Sequence, residues 1–200
     1  MEKQTIIRAA PGRPRQFDEG EALAAIMELF WEHGYEATGL SDIIKATGLG
    51  KASLYATFGN KQSMYLHALA AFETNMVDEG TAMLRSGAGS PMDRIAQFLD
   101  APIAARRDAG DARGCFLCNA SADRAALDAQ TAAVVQRCYT KLSEALAGTL
   151  AQMMAPDAAR HRAQMLLAVY SGLRVMARTG MPIATLEEAR DEALSGLRAH

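Results

Sequence analysis

The chain has 200 residues, of which half are hydrophobic and only six are proline, and its net charge is −2 at pH 7. This composition predicts an all-α protein, long enough to bury a core without a cofactor or a metal. The near-neutral charge by itself gives no general affinity for nucleic acid. There is no run of about 18 apolar residues, no leader pattern and only three cysteines, so we expect a cytoplasmic chain without a membrane partner.

Residues 1–16 are the first element, a basic segment that contains Lys3, Arg8, Arg13 and Arg15 and a single acidic residue. Its prolines and glycine predict a flexible arm. Arginines in such arms can enter a narrow minor groove of DNA, where the negative potential is enhanced. The alternative is a solvated terminus that binds nothing.

The first helix is predicted to begin after Asp18, a residue suited to cap a helix N-terminus, and to end at Gly34. No Lys or Arg occurs between residues 18 and 36. The apolar side chains follow the spacing of one buried helical face. They are Leu23, Ile26, Met27, Phe30 and Trp31.

Two short helices are predicted next, over about 40–47 and 51–58, with a turn at Gly48 between them. In the second of them, Leu54 and Phe58 are one turn apart and should face inward. Two brief helices around a turn that contains glycine are typical of a helix-turn-helix. The alternative is a short surface helix in a bundle.

The outward face of the helix over 51–58 is small and polar, so its backbone could approach a DNA groove closely. The hydroxyls of Ser53 and Thr57 can contact base edges or phosphates. Lys51 can neutralise a phosphate, and Lys61 can do the same at the start of the next helix, where the helix dipole assists.

The segment from residue 18 to residue 66 resembles the N-terminal signature of TetR-family transcriptional regulators. The matching residues are Gly34-Tyr35-Glu36-Ala37-Thr38, Asp42-Ile43, Gly48-Leu49, Lys51, Leu54-Tyr55, Phe58 and Lys61. The resemblance implies a three-helix helix-turn-helix DNA-binding domain followed by a larger helical bundle for ligand binding and dimerisation. We therefore expect a flexible basic arm over 1–16, the DNA-binding domain over 17–66 and the bundle over 67–200.

Carried over residue by residue, the family's DNA contacts fall on the two short helices and the start of the next one. The expected contact residues are Ser41, Lys51, Ala52, Ser53, Tyr55, Ala56, Thr57 and Lys61, with Arg13 and Arg15 from the arm. The sequence departs from the family pattern at Gly39 and Gly50, where serine or threonine caps are usual, so both short helices should begin with weaker caps. It departs again at Thr57, where the family often has an aromatic residue or histidine, so the operator sequence is not specified.

The remaining helices are predicted from the apolar periodicity and from loops rich in glycine, proline and aspartate. They are expected over about 61–84, 91–108, 115–128, 131–154, 157–179 and 185–198. In the family the last two long helices form the two-fold interface, so the resemblance assigns a homodimer to 131–154 and 157–179. Such a dimer presents two recognition helices about one DNA turn apart and requires a palindromic operator.

Aromatic and methionine residues of the bundle could line an apolar pocket for an unknown small-molecule effector, as the resemblance implies; the alternative is ordinary core. Asn119 and Asp123, one turn apart, could anchor a ligand or could simply cap and solvate their helix. The candidate set is Phe72, Met76, Phe98, Phe116, Asn119, Asp123, Tyr139 and Tyr170.

Cys115 and Cys118 form a CxxC pair at a predicted helix start, where the helix dipole can lower a thiol pKa and favour oxidation. The pair could act as a redox or electrophile switch, with Cys138 as a further partner. Two buried apolar thiols are the alternative. A single CxxC lacks the second ligand pair of a zinc site, so we expect no metal.

The four histidines are scattered and no phosphate-binding loop is present, so we predict no catalytic residue and no enzyme. The sequence therefore favours one interpretation, a ligand-responsive repressor that binds a palindromic operator on double-stranded DNA as a homodimer. Two alternatives stay open. One is a thiol-based sensor on the same scaffold, and the other is a helical-bundle binding protein or enzyme that does not act through DNA.

Overall fold

The computed structural model describes residues 17–198, and within this range there are helices and no β-strand, which confirms the all-α prediction. The helices in chain order are α1 Glu19–Ala37, α2 Leu40–Thr47, α3 Lys51–Phe58, α4 Lys61–Phe72, a π-helical segment Glu73–Val77, α5 Asp78–Ser86, α6 Pro91–Ala109, α7 Phe116–Asp123, α8 Ala129–Leu150, α9 Pro156–Arg178 and α10 Ile183–Arg198.

Helix α1 begins as predicted and ends later. The Asp18 carboxylate accepts hydrogen bonds from the backbone N–H groups of Gly20 and Glu21, at 2.7 and 3.1 Å. Gly34, with φ of 80°, interrupts the helix, but one more turn follows and the helix ends at Ala37. The buried hydroxyl of Thr38 holds this turn by donating to the Gly34 carbonyl at 2.7 Å.

Helices α2 and α3 have the predicted bounds. Gly48, with φ of 67°, ends α2 in the left-handed conformation that favours glycine, and its N–H donates to the Ile44 carbonyl at 2.9 Å. Gly39 supplies no side-chain cap, but the Asp42 carboxylate accepts from the Gly39 N–H at 2.8 Å and stabilises the helix start. Gly50 likewise provides no cap for α3.

The single helix predicted over 61–84 is divided by the π-helical segment, which the apolar periodicity did not reveal. A π turn holds one extra residue and is common at functional sites. Here it places the Glu73 carboxylate, only 7% exposed as a residue, against Arg137 and Lys141 of α8 at 2.5 and 2.7 Å. It also leaves Met76 42% exposed.

One prediction about the bundle needs correction. Helix α7 ends at Asp123 rather than at residue 128, since the chain turns over 124–127, and no glycine or proline in the sequence marks that stop. Leucines of α8 and α9 face inward: Leu142, Leu146, Leu150, Leu166 and Leu173 are all buried within one protomer. They stabilise the bundle and are not available to a second copy.

One hydrophobic core runs through most of the fold and crosses the expected domain boundary at residue 66, which falls inside α4. Aromatic rings form its centre. The Trp31 ring meets Phe72 edge-on at a centroid distance of 5.1 Å, and Phe116 meets Tyr65 and Phe72 at 5.6 and 5.8 Å. Within the described range, no helix is long and apolar enough to cross a membrane.

Candidate DNA-binding surface and ligand cavity

Helix α3 is anchored by Leu54 and Phe58, which are buried as predicted. Its opposite side is open, and the Tyr55 ring is 41% exposed. The predicted contact residues Ser41, Lys51, Ala52, Tyr55 and Ala56 are exposed, and Ser53 and Thr57 are half-buried. Arg13 and Arg15 lie outside the described residues. The surface of α2 and α3 therefore offers small and polar groups around one aromatic ring, and DNA contact by each of them stays a prediction.

The cations of this surface differ in their surroundings. The Lys51 ammonium lies 5.8 Å from the Tyr55 ring centroid and is exposed to solvent. Lys45, in the last turn of α2, is also exposed and adds a positive charge that the sequence-based set omitted. Lys61 is half-buried, with its ammonium 4.5 Å from the Tyr35 ring centroid and 3.5 Å from the Glu36 carbonyl. Part of its role is therefore structural.

A polar cluster, which we call the α7 clamp, joins the end of α7 to α1 and α4. It consists of Tyr35, Gln62, Asp123 and Arg124. The Arg124 guanidinium lies 4.1 Å from the Tyr35 ring centroid and donates to the Gln62 side chain at 3.3 Å. The Asp123 carboxylate accepts from the Tyr35 N–H at 3.3 Å. Asp123, predicted as a pocket anchor, is thus placed in a contact between α7 and the helix-turn-helix region.

A largely apolar cavity of about 250 Å³ lies among α5, α6, α7, α8, α9 and the π-helical segment. Its lining residues are Phe72, Met76, Val77, Glu79, Gly80, Met83, Phe98, Ala101, Cys115, Leu117, Cys118, Tyr139, Leu142, Tyr170 and Arg174. The set includes five of the eight predicted pocket residues. Of the others, Phe116 packs in the aromatic core, and Asn119 donates to the carbonyls of Trp31 and Arg113 at 3.4 and 3.1 Å.

The polar groups of the cavity are different from those expected. Arg174 of α9 donates from Nε and Nη2 to the Tyr170 hydroxyl at 3.0 and 2.7 Å. Burial raises the pKa of Tyr170, whose ring stacks on Phe98 at a centroid distance of 4.1 Å. The available sequence signal was an arginine one turn after Tyr170 on the apolar side of a helix.

The two cysteines of the CxxC motif form part of the cavity wall. Cys115 stands at the N-cap position of α7, and Cys118 lies one turn further on. A hydrogen bond from the Cys118 thiol lowers the pKa of Cys115, and Arg174 acts in the same direction while burial opposes it. The same hydrogen bond and burial raise the pKa of Cys118, which also accepts from the Tyr139 hydroxyl at 3.6 Å.

Gly114 brings this pair close to α9. Its φ of 74° is one that residues with a side chain rarely adopt. A Cβ at this position would lie 3.1 Å from the Arg178 Cβ and 3.2 Å from the Arg174 carbonyl oxygen. Cys138 lies elsewhere: it is buried on α8, it does not line the cavity, and burial raises its pKa to about 11.

Helices α1 to α3, with an exposed third helix on two buried anchors, define a helix-turn-helix DNA-binding protein. Residues 22–68 match the family model described as bacterial regulatory proteins, tetR family. The chain is 28% identical over 198 residues to the transcriptional repressor ComR of Escherichia coli K12, covering 96% of this chain and 93% of ComR. Residues 22–68 therefore match the TetR family model, and the chain as a whole is similar to transcriptional regulators of that family in sequence and in fold.

Solved structures agree with this assignment over nearly the whole chain. A cysteine mutant of the TetR-family regulator CifR, complexed with 26-base-pair operator DNA, has a TM-score of 0.77 and 25% identity, covering 92% of this chain and 98% of CifR. The reduced form of E. coli NemR has the same TM-score at 22% identity, covering 87% and 93%, and shows the shared fold. Within residues 17–198, no group of three or more histidine, cysteine or acidic side chains could hold a metal ion.

Proposed function

We propose that this regulator is a ligand-responsive repressor that binds a palindromic operator as a homodimer in the cytoplasm. The observation that carries the proposal is the combination of an exposed recognition surface on α3 with an apolar cavity joined to it through α7 and α4. CifR bound to its operator supports DNA as the partner, and ComR, named a repressor, supports the direction of regulation. The proposal gives the chain no catalytic role.

In the proposed complex, α3 enters the major groove, where Ala52, Tyr55 and Ala56 meet base edges and Lys51 contacts a phosphate.

Fluorescence anisotropy tests this geometry by measuring the affinity for a duplex that the protein selects from a random pool. Lys51→Ala should weaken binding to all sequences and reduce the salt slope by about one. Arg85→Ala, at an exposed position in the last turn of α5, is the control and should change neither quantity. An unchanged salt slope for Lys51→Ala would contradict the docking geometry.

We propose that the dimer forms through α9 rather than through α8. Gln164, Ala168, Ser171 and Val175 follow one another along a partly exposed side of α9, and Val175 is 53% exposed. The exposed side of α8 is polar, with Gln136, Arg137, Thr140 and Glu144. Small and apolar groups let two helices approach closely, whereas charged groups must be desolvated.

Analytical ultracentrifugation at micromolar concentration tests this interface. Val175→Glu should produce a monomer, because a carboxylate would be buried without a partner. Gln136→Glu makes the matched change on α8 and should leave the dimer intact. A dimer that survives Val175→Glu would locate the interface elsewhere.

Two connections can transmit a change in the cavity to α3. The first turn of α7 supplies Cys115 and Cys118 to the cavity wall, and the last turn supplies the α7 clamp. The π-helical segment supplies Met76 and Val77 to the cavity wall, and it follows α4 without a break in the helix. A ligand acts through these connections only if it binds the DNA-competent and incompetent states with different affinity.

The clamp can be tested without a ligand. Arg124→Gln removes the cation from Tyr35 and should weaken operator binding by the unliganded protein, while circular dichroism and the dimer stay unchanged. Arg85→Gln, on α5, provides the matched loss of charge at an exposed site. Equal operator affinity for wild type and Arg124→Gln would remove the clamp from the proposed transmission.

A thiol switch is a second candidate, favoured by the position of Cys115 on the cavity wall beside Arg174. In this scheme the Cys115 thiolate attacks a hydroperoxide oxygen, the O–O bond breaks, and a sulfenic acid and an alcohol form. The Cys118 thiol then attacks the Cys115 sulfur, which releases water and leaves a disulfide. Mass spectrometry after peroxide, with operator binding by Cys115→Ser, Cys118→Ser and Cys138→Ser, tests it. Equal release of all variants by peroxide would exclude the switch.

A further inference from the structure

Arg174 is a half-buried cation that forms no salt bridge with any described residue. Burial disfavours its charge, but the Tyr170 hydroxyl and the thiols of Cys115 and Cys118 outweigh burial, so the pKa of Arg174 is raised. Among the described residues its hydrogen bonds go to Tyr170 alone, and it forms no salt bridge. Two of the five guanidinium N–H donors are used in this way. The others are available on the side of the cavity that Arg174 lines.

The acidic residues near this site do not neutralise Arg174. Asp111 senses its charge, but both Asp111 oxygens accept from Arg113 at 2.9 Å. Glu79 also lines the cavity, but it is exposed, so water screens its charge. A guanidinium that lines an apolar cavity and has unused N–H donors favours an anion that enters the cavity, because charge-assisted hydrogen bonds to a guanidinium are strong.

The rest of the cavity suits an apolar molecule. Phe72, Phe98, Leu117 and Leu142 form its walls, and the Tyr170 ring, stacked on Phe98, lies directly beside the guanidinium. An engineered cavity of roughly 150 Å³ holds benzene, so in proportion the volume of about 250 Å³ has room for about ten non-hydrogen atoms.

We infer that the effector of this cavity is an apolar carboxylic acid of about ten non-hydrogen atoms, held at its carboxylate by Arg174. The inference rests on the ligand response proposed above and names the chemical class of the ligand. A carboxylate accepts from the free guanidinium edge, while the apolar body of the molecule lies against Phe98, Tyr170 and Leu142.

Binding of such an acid also has a consequence for Cys115. The thiolate of Cys115 and the ligand carboxylate would share the charge of one guanidinium, so the acid should raise the pKa of the thiol. The other titratable groups that face Cys115 are Cys118, Tyr139 and Tyr170. An uncharged molecule of the same shape can block access to the thiol but cannot produce this electrostatic effect.

Isothermal titration calorimetry on the full-length dimer provides the first test. The probes are octanoate and 3-phenylpropanoate, each compared with its primary amide. We expect at least one acid to bind tenfold or more tightly than its amide. Arg174→Met should remove this preference, while Arg174→Lys retains part of it. Arg178→Met, one turn further along α9 and exposed, is the control and should leave the preference unchanged.

The second test is the pH profile of Cys115 alkylation by iodoacetamide, followed by mass spectrometry of the Cys115 peptide. The acid should move the midpoint of the profile to higher pH, and the amide should slow alkylation without moving the midpoint. This comparison uses the wild-type chain, so it stands even if Arg174→Met does not fold. Acids that bind no better than amides, or a preference that survives Arg174→Met, would overturn the inference.

Operator binding in the same samples separates this inference from the proposed function. An acid that binds through Arg174 without releasing the operator supports the site and contradicts the ligand response. Release by an uncharged molecule that acts equally on wild type and Arg174→Met supports the ligand response and overturns the carboxylate assignment.

Discussion

Lowering the pH should destabilise this protein through one carboxylate, that of Glu73 in the π-helical segment. Hydrogen bonds from Arg137 lower the pKa of Glu73 from 4.5 to about 2, and Lys141 acts in the same direction against burial. Because the pKa is lower in the folded chain than in the unfolded chain, the stabilisation is complete above pH 4.5. It is lost as the pH falls towards 2.

The size of the effect follows from the two pKa values. At about 1.4 kcal/mol per pH unit, the difference between 4.5 and about 2 corresponds to about 3 kcal/mol. Half of the Arg137 side chain is exposed, so solvent screening lowers the expected contribution to about 2 kcal/mol. Glu73→Gln should therefore lower the free energy of unfolding by about this amount at neutral pH. Lys141 keeps its contact with Asp78 in the variant, at 2.7 Å.

Urea unfolding followed by circular dichroism between about pH 6 and pH 2.5 measures the difference. Other carboxylates with lowered pKa values, such as Asp111 and Asp128, titrate in both proteins, so only the gap between wild type and variant is informative. The gap should close as the pH falls. Glu144→Gln, at an exposed position of α8, is the control. A gap that stays constant with pH would refute the electrostatic account and indicate a packing effect.

Three further predictions follow from single contacts. Thr38→Val should cost about 1 to 2 kcal/mol of unfolding free energy, because the Gly34 carbonyl loses its buried partner, and Thr38→Ser should not. Gly114→Ala should cost about 1 to 2 kcal/mol and slow Cys115 alkylation; an unchanged melting temperature would show that the backbone tolerates a side chain there. Deletion of residues 1–15 should weaken operator binding and flatten its salt dependence, and an unchanged salt slope would exclude a DNA contact by the arm.

Local chemistry was enough to predict the start of α1 and both ends of α2 and α3. Asp18 and Gly48 act on their own neighbours, so the helix ends they determine can be read from the sequence. The buried pair Leu54 and Phe58 likewise follows from helical periodicity. The prediction was wrong where a distant contact decides the geometry. The π turn at Glu73 depends on cations of α8, more than sixty residues away in the chain.

The cavity was likewise predictable where residue type decides its lining, and it was not predictable where contacts between distant helices decide it. Large apolar residues such as Phe98 and Tyr170 were predictable candidates because cavities and cores use the same residue types. Asn119 and Asp123 are polar residues one turn apart, which made them candidate ligand anchors. Both point to α1 instead, and the sequence pattern does not specify where α1 lies relative to α7. Arg174 was missed because one arginine in a long helix is ordinarily solvated. Arg174 becomes a candidate ligand-binding residue only because the fold brings Cys115 and Tyr170 close to its guanidinium.

The aromatic core described above limits how this regulator can be recombined with its relatives. Trp31 and Tyr65 lie in the segment expected to bind DNA, yet the Trp31 ring stacks on Phe116 of α7 and the Tyr65 ring meets it edge-on. A chimera that joins residues 17–66 to a foreign bundle would leave these rings against an unmatched surface, and each large-to-small mismatch in a core costs several kcal/mol. Exchange of sensing modules in this scaffold therefore requires α7 to be transferred together with the recognition helices.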